Sequence, residues 1–116
     1  MKHLKKGRKF HRGRGQRKAL FKIIIGNLVM KEKIETTEAK AKEIKPLLEK
    51  FITLGKKQNV ASLRLLMSRL PKKAAQKFFY EISPRYKNRR GGYLRIIKSV
   101  KRRTKDASKM AIIEFI

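Results

Sequence analysis

Apolar residues recur along this chain at two different periods, and the change of period divides it. Over Gln16–Met30, Leu20, Ile24 and Leu28 fall four apart, Phe21, Ile25 and Val29 form a second row, and Ile23 and Asn27 flank the first. So wide an apolar arc predicts a largely buried helix. Lys33–Thr36 reads as a short extended piece with Ile34 inward. Thr37 suits an N-cap and Glu38 the first turn of a second helix, Glu38–Leu54, closed by Gly55. Ile44, Leu47, Leu48, Phe51 and Ile52 line its inner face. Pro46 removes one hydrogen bond and predicts a kink, but the stripe continues in phase across it, so the helix is one. Asn59 caps a third helix, Val60–Leu70, which turns Leu63, Leu66, Met67 and Leu70 inward and stops at Pro71. A fourth, Lys73–Glu81, turns Ala74, Ala75, Phe78, Phe79 and Ile82 inward.

After Ser83 the period falls to two. Ser83–Gly92, with Pro84 and the Gly91–Gly92 pair, reads as a loop. Tyr93–Lys98 alternates, with Leu94 and Ile96 opposite Tyr93, Arg95 and Ile97. Lys109–Phe115 alternates too, with Met110, Ile112 and Glu114 opposite Ala111, Ile113 and Phe115. Two such runs joined by a basic loop of about ten residues predict an antiparallel hairpin, with the Ile34 strand as a third member. Helices must cover one face of this sheet. The expected fold is therefore a two-layer α+β domain: about four helices packed on a small mixed or antiparallel sheet of two to three strands, with a basic N-terminal extension. Residues 1–15 form the arm, and 16–116 a single globular α/β domain with basic loops at 84–93 and 99–108. No internal repeat is present.

Charge decides what such a domain is for. The chain carries 34 Lys and Arg against 8 Asp and Glu, a formal net charge of +26. Self-repulsion on that scale opposes a compact state unless a polyanion is present, and nucleic acid is the default partner. Nine of the first eighteen residues are basic and none is acidic. That segment buries too little apolar surface to offset the entropy of ordering it alone, so it is expected to be mobile in water. On RNA each Lys or Arg that neutralises a phosphate releases a counterion, and the arm can order. Arg17 and Lys18 sit at the helix start, where the dipole favours negative charge, and a docked phosphate relieves the mismatch.

Other functions lack their chemistry. Without cysteine there is no disulfide, thiolate zinc site or cysteine nucleophile. His3 and His11 are the only histidines, both in the arm and far from any carboxylate, so they suit phosphate or base contact better than a metal. No paired catalytic carboxylates, phosphate-cradling GxxxxGK[ST] loop or strand-linked dinucleotide motif appears, so an enzyme is not expected. The apolar run ALFKIIIGNLVM is too short for a membrane span of about 20 residues and lacks the flanks of a cleaved signal. No cofactor, small-molecule substrate, membrane or homo-oligomer is expected.

The basic residues sit on an arm and on loops with glycines among them. That suits irregular folded RNA more than a duplex groove, and no zinc-finger, zipper or RRM signature is present. In PRYKNRRGGY the arginines offer bidentate forks to phosphates. Tyr86 and Tyr93 either stack on splayed bases or pack on the helix layer with their hydroxyls wet. Candidate RNA-contact residues are Lys2, His3, Lys5, Lys6, Arg8, Lys9, His11, Arg12, Arg14, Arg17, Lys18 and Lys22 in the arm and first helix. Around the loop they are Arg85, Tyr86, Arg89, Arg90, Gly91, Gly92, Tyr93 and Arg95, and in the hairpin Lys101, Arg102 and Arg103.

Four blocks in order, MKHLKKGRKF with QRKAL after it, KIETTEAKAKEIKPLLEKFITLGKK, SPRYKNRRGGYLRIIK and the final AIIEFI, give the chain a specific likeness. It resembles, end to end, the bacterial-type large-subunit ribosomal protein seventeen family. The resemblance implies a structural constituent of the large ribosomal subunit in a cytoplasmic or organellar ribosome. Its implied partners are large-subunit ribosomal RNA and neighbouring ribosomal proteins, with a seat on the solvent side near the rim of the peptide exit tunnel. HRGRG at His11–Gly15 departs from the family pattern, so contacts by His11 and Arg14 rest on their chemistry alone. The alternative function is a nucleoid-type DNA-compacting protein. A cationic membrane-active protein is a third reading, disfavoured by the complete globular remainder.

Overall fold

A computed structural model describes Gly7, Arg8, Phe10 and residues 12–116. Lys2, His3, Lys5, Lys6, Lys9 and His11, all expected to touch RNA, lie outside the described residues. The chain runs α1 (Arg14–Lys31), β1 (Lys33–Thr37), α2 (Glu38–Gly55), α3 (Val60–Arg69), α4 (Lys72–Lys77), β2 (Leu94–Arg102) and β3 (Lys109–Phe115). The three strands form one antiparallel sheet in the order β1-β3-β2. The predicted α+β class and the third strand are both present.

The sheet buries one face. Ala111 and Ile113 of β3 are fully buried, Ile34 and Ile96 lie beside Ile113 in register, and Leu94 faces Phe115. α2 lies across this face through Ala41, Ile44, Leu48, Phe51 and Ile52. Its N-cap is Thr37, whose Oγ1 accepts from Lys40 N at 3.4 Å. The helix continues through Pro46, as the unbroken apolar stripe predicts. Lys42, whose carbonyl loses its partner to the proline, is exposed, so water can take that bond.

α1 begins at Arg14, two residues earlier than predicted. Gln16 Oε1 accepts from Gly13 N at 3.3 Å, which fixes that start. The helix is less buried than its apolar arc implies. Ile25, Leu28 and Val29 face the core, while Ile23 and Met30 are 60% and 48% exposed, because only one side meets α4 and the sheet. On α3, Leu66 is buried and Leu63 partly so, but Met67 faces out and Ser62 takes an inner position.

The region after α4 differs most from expectation. The predicted regular helix to Glu81 widens at Phe78–Ile82 into a π-helical turn, and Ser83–Tyr86, expected as loop, is a 3₁₀ turn. The widening carries Phe78, Phe79 and Ile82 into the core together. The 3₁₀ turn follows the π-helical turn without a break: Ser83 N–H still donates to Phe78 O, and Pro84, which has no N–H, ends that ladder. Likewise β2 runs on to Arg102 with a register break after Lys98, so the hairpin loop is 103–108 and shorter than expected. Arg103 N to Ser108 O (3.1 Å) and Ala107 N to Arg103 O (2.8 Å) close it.

Gly55, the last residue of α2, is where the widened turn approaches most closely. A Cβ there would overlap the buried Ser83 Oγ and lie 2.9 Å from Ser83 Cβ. Gly55→Ala is therefore expected to destabilise the protein by about 1–3 kcal/mol, despite alanine's better helix propensity. A denaturant titration checks this, and a stabilised variant would contradict the packing.

Candidate nucleic-acid interface

Every acid of the chain lies among the described residues, so the structure shows which cations are already matched. Three candidates in the C-terminal half are. Arg85 pairs with Glu32, Arg95 Nε with Glu114 Oε1 at 3.0 Å, and Arg103 Nη2 with Asp106 Oδ2 at 2.6 Å. Glu114 stands between Lys33 (3.9 Å) and Arg95, its register partners on the flanking strands, as a cross-strand ion triad. Arg12, Arg14, Arg17, Lys18, Lys22, Arg89, Arg90, Lys101 and Arg102 have no acidic partner, and all but the half-buried Arg17 are exposed.

Glu32 is the pivot of the 3₁₀ turn's attachment. It ends α1 in the left-handed region (φ 63°), donates its N–H to Leu28 O, and turns its carboxylate to Arg85 and, at 3.5 Å, to Lys77. Lys77 Nζ also donates to Met30 O at 2.8 Å, which satisfies a carbonyl at the helix end. The Arg85 hydrogen bond foremost, and then the positive charges of Arg85 and Lys77, hold the Glu32 carboxyl below its ordinary 4.5. A depressed carboxyl stabilises the fold above its unfolded value, and that contribution is lost as pH falls through the folded value. The pair is half exposed, so Glu32→Gln is expected to cost only about 0.2–1 kcal/mol at pH 7. The difference from the parent chain should shrink once the pH drops below about 4.5. Melting curves across pH 3–7 measure it.

Both candidate tyrosines are core residues. Tyr86 is 4% exposed and Tyr93 3%, with their rings edge to face at 5.3 Å. Tyr86 O–H donates to the carbonyl of Ile116 at 2.8 Å, and burial pushes its phenol up. Ile116 N donates to Tyr93 O at 3.0 Å. Tyr93 O–H donates to Arg89 O at 3.1 Å, and Lys56 Nζ donates to the same carbonyl and to the Tyr93 oxygen at 2.8 Å. Neither ring leaves a face for a base. Of the two fates open to them, packing under the loop is the one the structure shows. Gly92 takes φ +63°, which directs the chain from the loop into β2. Arg89 and Arg90 thus stand exposed on a loop clamped by Lys56, Tyr93 and the C-terminus. No sequence motif marked Lys56; its role depends on Arg89, 33 residues away.

The described part of the arm lies on the body. Arg8 Nη1 donates to Ala39 O at 2.9 Å and Arg8 N to Glu43 Oε1 at 3.2 Å. Phe10 meets Phe21 edge to face at 6.0 Å. Phe10 supplies the apolar contact that a purely cationic segment would lack. Among the described residues no group of His, Cys, Asp and Glu could hold a metal, and no helix is long and apolar enough to cross a membrane.

Comparison with known proteins adds to this geometry. The family described as Ribosomal protein L17 matches residues 20–116. The large ribosomal subunit protein bL17 of Persephonella marina is 51% identical, with 100% of this chain and 95% of that protein covered. Those of a Hydrogenobaculum species and of Thermodesulfovibrio yellowstonii are each 44% identical, covering 100% of this chain and 99% and 87% of their own lengths.

Proposed function

Because the chain belongs to the Ribosomal protein L17 family, and so is a structural component of the large ribosomal subunit rather than an enzyme, we propose that it binds large-subunit ribosomal RNA through its arm, the start of α1 and the clamped 87–92 loop. The observation that carries this reading is the uneven pairing of its charges. The eight acids sit on the sheet, on helices, at the end of α1 and in the hairpin turn, whereas among the described residues Arg12 of the arm, Arg14, Arg17 and Lys18 at the start of α1, and Arg89 and Arg90 of the loop have no acidic partner. Arg89 and Arg90 supply the loop's phosphate contacts, and Tyr86 and Tyr93 position them from below. Arg85, Arg95 and Arg103 contribute less, since a phosphate must compete with the carboxylate each already holds. The family resemblance supports a seat near the rim of the peptide exit tunnel, beside neighbouring ribosomal proteins.

Two measurements test this. The protein is expected to cosediment with the large subunit through a moderate salt wash. Recovery only in ribosome-free or DNA-bound fractions would reject the ribosomal seat and favour the nucleoid reading. On protein-free large-subunit RNA, Arg89→Ala/Arg90→Ala should flatten the log–log salt dependence by about 1.4–1.8, two phosphates' worth. Tyr93→Phe removes only the hydroxyl of the clamp. It should weaken binding a few-fold and leave the slope unchanged.

A further inference from the structure

Between the arm, the first turn of α2 and the β2–β3 hairpin lies an open groove of about 690 Å³. Three parts of the chain bring cations to it: Arg8 and Arg12 from the arm, Lys40 and Lys42 from α2, and Arg103 and Lys109 from the hairpin. Two acids, Glu38 and Asp106, also line it, and both are already committed. Glu38 Oε1 holds Lys42 Nζ at 2.7 Å, with Lys98 at 3.8 Å behind it. Asp106 takes Arg103 through both carboxylate oxygens, at 3.0 and 2.6 Å, and Ser108 N at 3.2 Å. Its negative charge is thus turned into the hairpin turn.

Arg8, Arg12, Lys40 and Lys109 remain as four side-chain charges with no carboxylate within ion-pair distance, brought to one concave surface by the arm, α2 and the hairpin. Arg8 spends one guanidinium N–H on Ala39 O and Arg12 one on Phe10 O, both at 2.9 Å. Those bonds orient the two forks and leave other donors of each free. The positive end of the α2 dipole adds to the same field. Like charges so placed repel one another in the free protein, and a line of phosphates between the walls removes that cost.

We infer that this groove holds a stretch of single RNA strand by its ribose–phosphate backbone, with the arm as one wall and the hairpin as the other. The inference rests on the RNA-binding reading above and makes it specific. It assigns RNA contact to Lys40 and Lys109, and it makes the arm half of a built channel. The groove presents charged forks and ammonium groups, and its one aromatic lining residue, Phe10, is engaged edge to face with Phe21, so it recognises the backbone more than the bases.

Lys40→Gln/Lys109→Gln tests it on the full chain, with protein-free large-subunit RNA as the probe. The log–log salt slope should become shallower by about 1.4–1.8, and affinity at 200 mM salt should fall about tenfold. Lys45→Gln/Lys50→Gln, an equal loss of charge on α2 outside the groove, is expected to change the slope by far less. Equal effects from the two pairs would mean diffuse attraction, and the groove is then not a site. In a chain without residues 1–12 the Lys40 and Lys109 substitutions should matter much less, since one wall is gone. Full additivity overturns the two-walled grip. Acetylation of the unmutated chain gives a readout free of folding effects: naked RNA should protect Lys40 and Lys109 but not Lys50. If they are protected only in the assembled particle, a protein neighbour fills the groove instead of RNA. Should removal of residues 1–12 leave the salt slope of the parent chain unchanged, the failure belongs to the broader RNA-binding reading. A flattened slope there, with an inert Lys40/Lys109 pair, sinks this inference alone.

Discussion

A chain lacking residues 1–12 is expected to bind large-subunit RNA on the order of 10³-fold more weakly near physiological salt, with a log–log slope shallower by about 4–5. The deletion removes six cations, Lys2, Lys5, Lys6, Arg8, Lys9 and Arg12. Each phosphate neutralised contributes about 0.7–0.9 to the slope, so six give the stated change if each meets one phosphate. The cut is placed after Arg12 because α1 starts at Arg14 and Gln16 caps it through Gly13 N. Removal to Gly15 would also take the cap and open the helix, mixing a folding effect with a binding one. The shortened body loses the Phe10–Phe21 edge contact and the Arg8 bonds to Ala39 and Glu43. The aromatic pair is worth about 0.5–1.5 kcal/mol, which a melting curve resolves easily from unfolding. A slope equal to that of the full chain would show that the arm neutralises nothing.

Phe78→Ala should be the most damaging single substitution in the body, at about 3–5 kcal/mol. The side chain is fully buried in the π-helical turn, with Phe115 of β3 at 6.5 Å between ring centroids and Gly55 of α2 beside it. It therefore joins three elements, and helix ends that meet at a glycine cannot easily collapse into the space it leaves. Each kcal/mol moves the midpoint of a domain near this size by roughly 4–8 °C, so a fall of more than about 10 °C is expected. Phe78→Leu keeps most of the volume and should cost far less. Because the free chain carries +26, both variants should melt higher in 0.5 M than in 20 mM salt. A Phe78→Ala protein that melts with the parent chain would show that this ring does not hold the layers together.

The charge pattern was legible only in bulk. Ser83–Lys105 contains ten bases and no acid, so it reads as a uniformly free cationic stretch. In the fold, Glu32 arrives at Arg85 from 53 residues away and Glu114 reaches Arg95 across a strand pair. Those pairings separate Arg89 and Arg90 from their neighbours in the same run. The tyrosines show the same limit. Flanking arginines make Tyr86 and Tyr93 look like stacking platforms, yet the C-terminal carbonyl and Lys56 hold them inside. The groove had no signature at all, because Lys40 and Lys109 are unremarkable in their local contexts.

What the sequence determined by itself is what depends on near neighbours or on sums. Helix and strand periods, the Thr37 and Asn59 caps, the inward row of α2, the two alternating rows of β3, the α+β class and the large positive charge all belong to that kind. A residue's period is set by those within four positions of it, and a net charge needs no geometry. The tertiary structure alone decided which cations are spent on carboxylates, which aromatics are buried, where the helix after Lys77 widens, and which separated lysines share a groove. Those outcomes depend on ångström-scale distances between residues tens of positions apart, set only when the layers pack.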